Sequence, residues 1–244
     1  QLANQLKALG VDVIEAGFPI ASEADAEAVR MIATRVRGPV IAALARCHEA
    51  DIDRAGWSLS PASRRRIHVF IATSDLHLER KLRISRRDCI RQAVAAVRHA
   101  RQFTDDVQFS AEDATRSDPD FLWRVVESVI QAGATTINLP DTVGYSTPDE
   151  IRAFFGAIIN RVPSSDQVTW STHCHDDLGL ATANSLAALE GGARQVECTI
   201  NGIGERAGNA SLEEVIMTTR VRSDRVPFGS NVDTGPIFAP TQLL

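Results

Sequence analysis

Asp120-Phe-Leu-Trp-Arg-Val-Val-Glu-Ser-Val-Ile-Gln-Ala-Gly133, followed almost at once by Thr135-Thr-Ile-Asn-Leu139, reads as one helix and one strand back to back. Apolar residues of the first stretch fall at i, i+3, i+4 and i+7, the spacing that gives a helix a single apolar face. Gly133 supplies the stop, because glycine enters the left-handed conformation that ends a helix without steric cost. The second stretch is short, apolar and β-branched, as a strand buried in a sheet should be. The same alternation runs along the whole chain. Strand-like runs begin at Val11, Val40, Ile67, Val107, Thr135, Val168 and Val196, in steps of 27 to 40 residues. Helical patterns such as Asp88-Cys-Ile-Arg-Gln-Ala-Val-Ala-Ala-Val-Arg-His-Ala100 lie between them. Strand, helix and strand at this period require a parallel sheet, since a parallel neighbour is reached only by a crossover.

Seven units are visible. Ahead of the first, Gln1-Leu-Ala-Asn-Gln-Leu-Lys-Ala-Leu-Gly10 reads as the back half of an amphipathic helix ending at a glycine, so the chain is expected to begin inside an element. One further strand ahead of Gln1 makes eight, the count that closes a TIM (β/α)8 barrel of about 250 residues. A doubly wound open sheet is the competing topology. The residues of chemical interest follow several different strands, which favours a barrel, because a barrel gathers all strand ends into one ring. The expected fold is therefore an α/β TIM barrel lacking its first strand. Residues 1–222 form the catalytic barrel, strands 2 to 8, and 223–244, where the rhythm fades into Pro, Gly, Asn and Asp, begin a linker to a C-terminal region.

Composition narrows the function. A net charge of −5 argues against a nucleic-acid partner, which calls for a basic face. No apolar run approaches the roughly 18 residues of a membrane helix. Four cysteines without C-x-x-C spacing suit a reduced, cytoplasmic compartment.

The chemistry concentrates near His173-Cys174-His175, at the end of the run Gln167-Val-Thr-Trp-Ser-Thr. Side chains alternate along a strand, so His173 and His175 share a face and Cys174 points away. Two imidazoles on one face can share a metal ion; hydrogen-bonded core histidines are the plainer alternative. Asp176 and Asp177 are candidate partners for the outer ring nitrogens. The loop Asn201-Gly-Ile-Gly-Glu-Arg-Ala-Gly-Asn209 reads as a flexible active-site loop built on Gly202, Gly204, Glu205, Arg206 and Gly208. Its glycines resemble a dinucleotide fingerprint only weakly. Asn209 is equally suited to cap the helix that follows and to ligate. Ser110 and Glu112 lie on one face at another strand end, where a carboxylate is an acid/base or substrate-orienting candidate and a solvated loop acid the alternative. Thr142 sits in a Pro-containing turn, and His68 lies within a strand.

These segments together resemble one family. The runs Val-Ile-Glu-Ala-Gly-Phe-Pro19, His68-Val-Phe-Ile-Ala-Thr-Ser, Leu-Pro-Asp-Thr-Val-Gly-Tyr145, His173-Cys-His-Asp-Asp-Leu-Gly-Leu-Ala and Glu197-Cys-Thr-Ile-Asn-Gly-Ile-Gly-Glu-Arg-Ala-Gly-Asn209 are similar to the 2-isopropylmalate synthases, in order, from about residue 7 to at least residue 217. The wider group of metal-dependent Claisen-condensing barrels also holds homocitrate and citramalate synthases. A hydroxymethylglutaryl-CoA lyase is a poorer match, because its cysteine-bearing loop has no counterpart. The resemblance implies an acyltransferase of leucine biosynthesis that condenses acetyl-CoA, the co-substrate, with the small 2-oxo acid 2-oxoisovalerate. It implies a divalent ion (Mn, Mg, Zn or Co) on His173, His175 and Asn209, with Glu112 catalytic and with His68, Ser110, Glu112 and Thr142 at the 2-oxo acid. It also implies a homodimer. The family's Arg-Asp-Gly-Glu-Gln segment, which brings a fourth ligand and an arginine, is not in this chain. An inactive relative working as an interaction subunit is the alternative of a different class.

Overall fold

The computed structural model describes residues 1–243; Leu244, the last residue of the expected linker, lies outside the described residues. Helix α1 (Leu2–Leu9) leads into β1 (Val13–Glu15), α2 (Glu23–Arg35), β2 (Val40–Arg46), α3 (Glu49–Leu59) and β3 (Arg65–Ala72). The one-turn α4 (Asp75–His77) and α5 (Arg86–Ala100) precede β4 (Val107–Glu112), α6 (Pro119–Ala132), β5 (Thr136–Asp141) and α7 (Pro148–Arg161). Then come β6 (Thr169–Cys174), α8 (Ala181–Glu190), β7 (Gln195–Glu197), α9 (Leu212–Val221) and the short α10 (Phe238–Thr241).

Local chemistry marks the helix ends. Ser22, Ser85, Asp118 and Ser211 each accept a main-chain N–H of the first turn, satisfying donors that a helix start leaves open. Thr147 and Glu150 form a capping box at the start of α7. Gly10 and Gly133 end α1 and α6 in the left-handed conformation, as the sequence implies.

The seven strands pair in parallel, in chain order from β1 to β7. A flat sheet would hold β3 and β7 about 19 Å apart, four strand spacings. Yet Arg66 Nη1 of β3 donates to Gln195 Oε1 of β7 at 2.8 Å, and Gln108 of β4 donates to Glu197 of β7. The sheet is therefore curled, with polar side chains meeting inside it. This is a TIM-type α/β architecture rather than an open doubly wound sheet. β1 and β7 do not pair among the described residues, and a cleft of about 860 Å³ opens between them, lined by Val13 and Glu15 on one side and Gln195 and Glu197 on the other.

The opposite faces of the strands form the core. Ile67, Val69, Phe109, Ile137 and Leu139 are buried against Ala93, Ala96 and Val97 of α5 and Val125, Val126 and Val129 of α6 in one cluster. Full burial of such side chains contributes about 1.5–3 kcal/mol each. Residues after α9 return along α1, where Asp233 N donates to Leu9 O at 2.7 Å. No helix of the described residues is long and apolar enough to cross a membrane.

The strand limits differ from the sequence reading by a few residues, and two of these differences bear on the site. β4 runs on to include Glu112, so this carboxylate belongs to the strand and not to the loop beyond it. β7 ends at Glu197, and Ile200 belongs instead to a short 3-10 turn, Ile200–Gly202, in which Asn201 has a positive φ of 58°.

Candidate active site

β6 presents His173 into the cleft, and His175 follows one residue beyond the strand. His175 stays extended because its N–H donates to Asp141 O and its backbone bridges Asn209 in antiparallel fashion. Alternation therefore persists, and the two Nε2 atoms face each other at 3.3 Å. Cys174 points the other way, buried with Ala181, Ala210 and Val215. Burial pushes its thiol up to about 11, so it stays protonated and inert near neutral pH.

The outer ring nitrogens determine which lone pairs are free. His175 Nδ1 donates to the Thr142 carbonyl at 2.6 Å. His173 Nδ1 lies 3.1 Å from Glu197 Oε2. A carbonyl and a carboxylate can only accept, so both protons belong on Nδ1 and both Nε2 lone pairs point inwards. Burial, helped by the charge of Arg206, holds the His175 pKa below the ordinary imidazole value against the opposing Thr142 carbonyl, which favours the neutral form a metal needs. For Glu197, burial favours the neutral acid. The hydrogen bond from His173 and the positive charge of His68 outweigh it and hold the carboxyl below its ordinary range.

The glycine loop carries Asn209, the third expected ligand. Asn209 N donates to Gly202 O, and Gly208 O accepts from Asp176 N, which seats the loop against the end of β6. Gly208 has a φ of 102°, and a Cβ there would stand 2.3 Å from Gly202 O, so only glycine fits. Asn209 does not cap α9; Ser211 does. Its amide oxygen Oδ1 is instead buried without a hydrogen-bond partner. A buried acceptor left open costs free energy unless a cation or donor meets it. Among the described residues no group of three His, Cys, Asp or Glu side chains is placed to hold a metal. The structure pairs the imidazoles of two of the expected ligands, His173 and His175, and bridges the third, Asn209, to His175 through the main chain.

Across the interior, His68 Nδ1 meets Glu15 Oε2 at 2.5 Å and Nε2 meets Ser110 Oγ at 2.6 Å. Burial opposes a charge on His68, but the Glu15 and Glu197 carboxylates outweigh it and raise its pKa. Glu112 pairs with Lys81 Nζ at 2.6 Å. The Thr142 hydroxyl accepts from Asp113 N at 2.9 Å, so its main-chain carbonyl and its side chain both tie neighbouring loops together. That carbonyl also accepts from Arg206, whose guanidinium pairs with Asp177. Glu205 extends to solvent on the same loop.

Asp176 and Asp177, the sequence candidates for partners of the outer ring nitrogens, do not take that place. Asp176 accepts from Ala181 N at the start of α8, and Asp177 is held by Arg206. Glu197 and the Thr142 carbonyl take that place. Glu197, Glu15, Gln108 and Lys81 were not singled out as sequence candidates. The signal available for two of them was a lone acid inside an apolar strand, Glu15 after Val13-Ile14 and Glu197 between Val196 and Cys198.

The family model described as HMGL-like matches residues 1–243. This chain belongs to the HMGL-like family. As an HMGL-like chain it is 58% identical over 244 residues to the protein named 2-isopropylmalate synthase of Carboxydothermus hydrogenoformans, covering all of this chain and 48% of that protein. A protein of the same name from Aquifex aeolicus is 57% identical over 247 residues, covering 100% of this chain and 47% of its own length. This HMGL-like chain thus spans about half the length of the curated relatives it matches. The crystal structure of hydroxymethylglutaryl-CoA lyase from Pseudomonas aeruginosa superposes with a TM-score of 0.81 at 25% identity, covering 99% of this chain and 82% of that one. The barrel reading and the resemblance to 2-isopropylmalate synthases both stand.

Proposed function

We propose that this chain is the barrel of an acyltransferase that condenses acetyl-CoA with 2-oxoisovalerate, consuming water and giving 2-isopropylmalate and CoA. The observation that carries this reading is the pair of Nε2 atoms at 3.3 Å, each freed by an acceptor on Nδ1, with the Asn209 main chain bridged to His175 and the Asn209 Oδ1 buried without a partner. Identity of 58% to a protein named for this reaction supports it. When bound at His173, His175 and Asn209, a divalent ion supplies Lewis-acid polarisation of the keto group and stabilises the charge that grows on its oxygen. The chain's own residues do the rest. His68 and Ser110, hydrogen-bonded to each other and through His68 to Glu15, form a polar interior wall for the substrate site, with Thr142 tying its loop in place. Glu112, steadied by Lys81, is the acid/base group within reach of the strand ends. In such a condensation the acetyl methyl loses a proton, its carbon bonds to the keto carbon, and thioester hydrolysis releases CoA.

The test is CoA release by the full-length protein from acetyl-CoA with 2-oxoisovalerate, pyruvate or 2-oxoglutarate, with and without added divalent metal. Metal-dependent release that prefers 2-oxoisovalerate is expected. Preference for pyruvate or 2-oxoglutarate would keep the chemistry and change the substrate, and no release with any of the three would sink the reading.

Gly204 gives a more local prediction. A Cβ there would lie 1.9 Å from Asn209 Oδ1, so Gly204→Ala must displace the amide. Its affinity for Co²⁺ is expected to fall by about tenfold or more, the usual range for disturbed metal surroundings. Calorimetric titration checks this, and an unchanged affinity would remove Asn209 from the ligand set.

A further inference from the structure

We propose that Glu197 is the positioning residue that holds His173 in the one tautomer able to bind metal, with Gln108 holding Glu197 in turn. The inference rests on the reading of His173 and His175 as ligands. Three observations carry it. First, β6 and β7 pair with His173 directly opposite Glu197, and partners opposite each other in adjacent strands project from the same face of the sheet. Second, the contact is atom-specific: Glu197 Oε2 sits 3.1 Å from Nδ1 of His173, while Nε2 of that ring faces His175. Third, the other carboxylate oxygen is already engaged, since Gln108 Nε2 donates to Glu197 Oε1. With both oxygens occupied on the outer side of the imidazole, Glu197 is placed to orient a ligand rather than to be one.

The two imidazoles differ in a useful way. His175 is held by a main-chain carbonyl, that of Thr142, which substitution leaves in place. His173 is held by a side chain, so its orientation can be changed without touching either ligand. A carboxylate on the outer nitrogen fixes the ring, raises the basicity of the inner nitrogen and commonly changes metal affinity by about 10–100-fold when lost.

The experiment compares the full-length protein with its Glu197→Gln variant, using Co²⁺ alone as probe. Calorimetry gives the dissociation constant, and the visible absorption of the bound ion reports its ligand set. The expected result is a dissociation constant raised about 10–100-fold with the same band positions, because the ligands are unchanged. Gln108→Leu should weaken binding in the same direction and by less. An unchanged affinity in Glu197→Gln beside a wild type that binds would overturn the assignment alone. A loss beyond about a thousandfold with shifted bands would make Glu197 a ligand, and would also overturn it. A wild type that binds no Co²⁺ would overturn the ligand reading and this role together. Should Glu197→Gln fail to fold, nitrogen-15 spectra of the metal-free wild type decide the matter: His173 must carry its proton on Nδ1, and a proton on Nε2 refutes the proposal.

Discussion

His175→Ala in the full-length protein is expected to lower metal-dependent CoA release by about a thousandfold, roughly 4 kcal/mol of transition-state stabilisation. His175 is 8% exposed and donates only through Nδ1, to the Thr142 carbonyl, so its loss removes one of two facing Nε2 atoms without opening the apolar core. The thermal transition should move little, since the ring lines a cleft and packs edge-on against His173. Chelation of the wild type should reproduce the loss, and Mn²⁺ or Co²⁺ should restore the wild type but not the variant. Colorimetric detection of free thiol from CoA reads every arm. A variant retaining more than a tenth of wild-type turnover would take His175 out of the ligand set.

Phe109→Ala is expected to have the largest effect on stability. Phe109 is fully buried in β4, with Gln108 and Ser110 on either side turned into the barrel interior and its own ring turned to the helices. Its strand is paired on both edges, by β3 and by β5, so the backbone cannot collapse to fill the void. Truncation of a buried Phe costs about 3–5 kcal/mol, the lost transfer free energy plus the cavity left behind. That is a large share of the about 5–15 kcal/mol that holds most domains folded. Urea unfolding followed by far-ultraviolet circular dichroism measures it. A loss below about 1 kcal/mol would mean that α5 and α6 close over the gap.

The difference between the two substitutions lies in the parity of one strand. Interior positions of β4 carry Gln108, Ser110 and Glu112, and the helix-facing positions carry Val107, Phe109 and Ala111. Alternation of this kind is visible in the chain as written. The number of strands, their parallel order and the shared face of His173 and His175 follow from periodicity, because side-chain direction in a strand depends only on residue parity.

Parity stops at the strand end, and chain order says nothing of distance across a curled sheet. Glu197 meets His173 through the β6–β7 register, His68 meets Glu15 from two strands away, and Lys81 reaches Glu112 from the turn after β3. Asp176 and Asp177 stand next to the histidines in the chain, yet a helix start and Arg206 claim them. Asn209, equally suited on its residue type to capping and to ligation, is freed from capping because Ser211, two residues closer to α9, takes the N-cap. Local pattern therefore determines the elements and which face each side chain takes. Only the curling of the sheet, driven by burial of its helix-facing side chains, decides which polar groups from distant strands are forced to satisfy one another inside it.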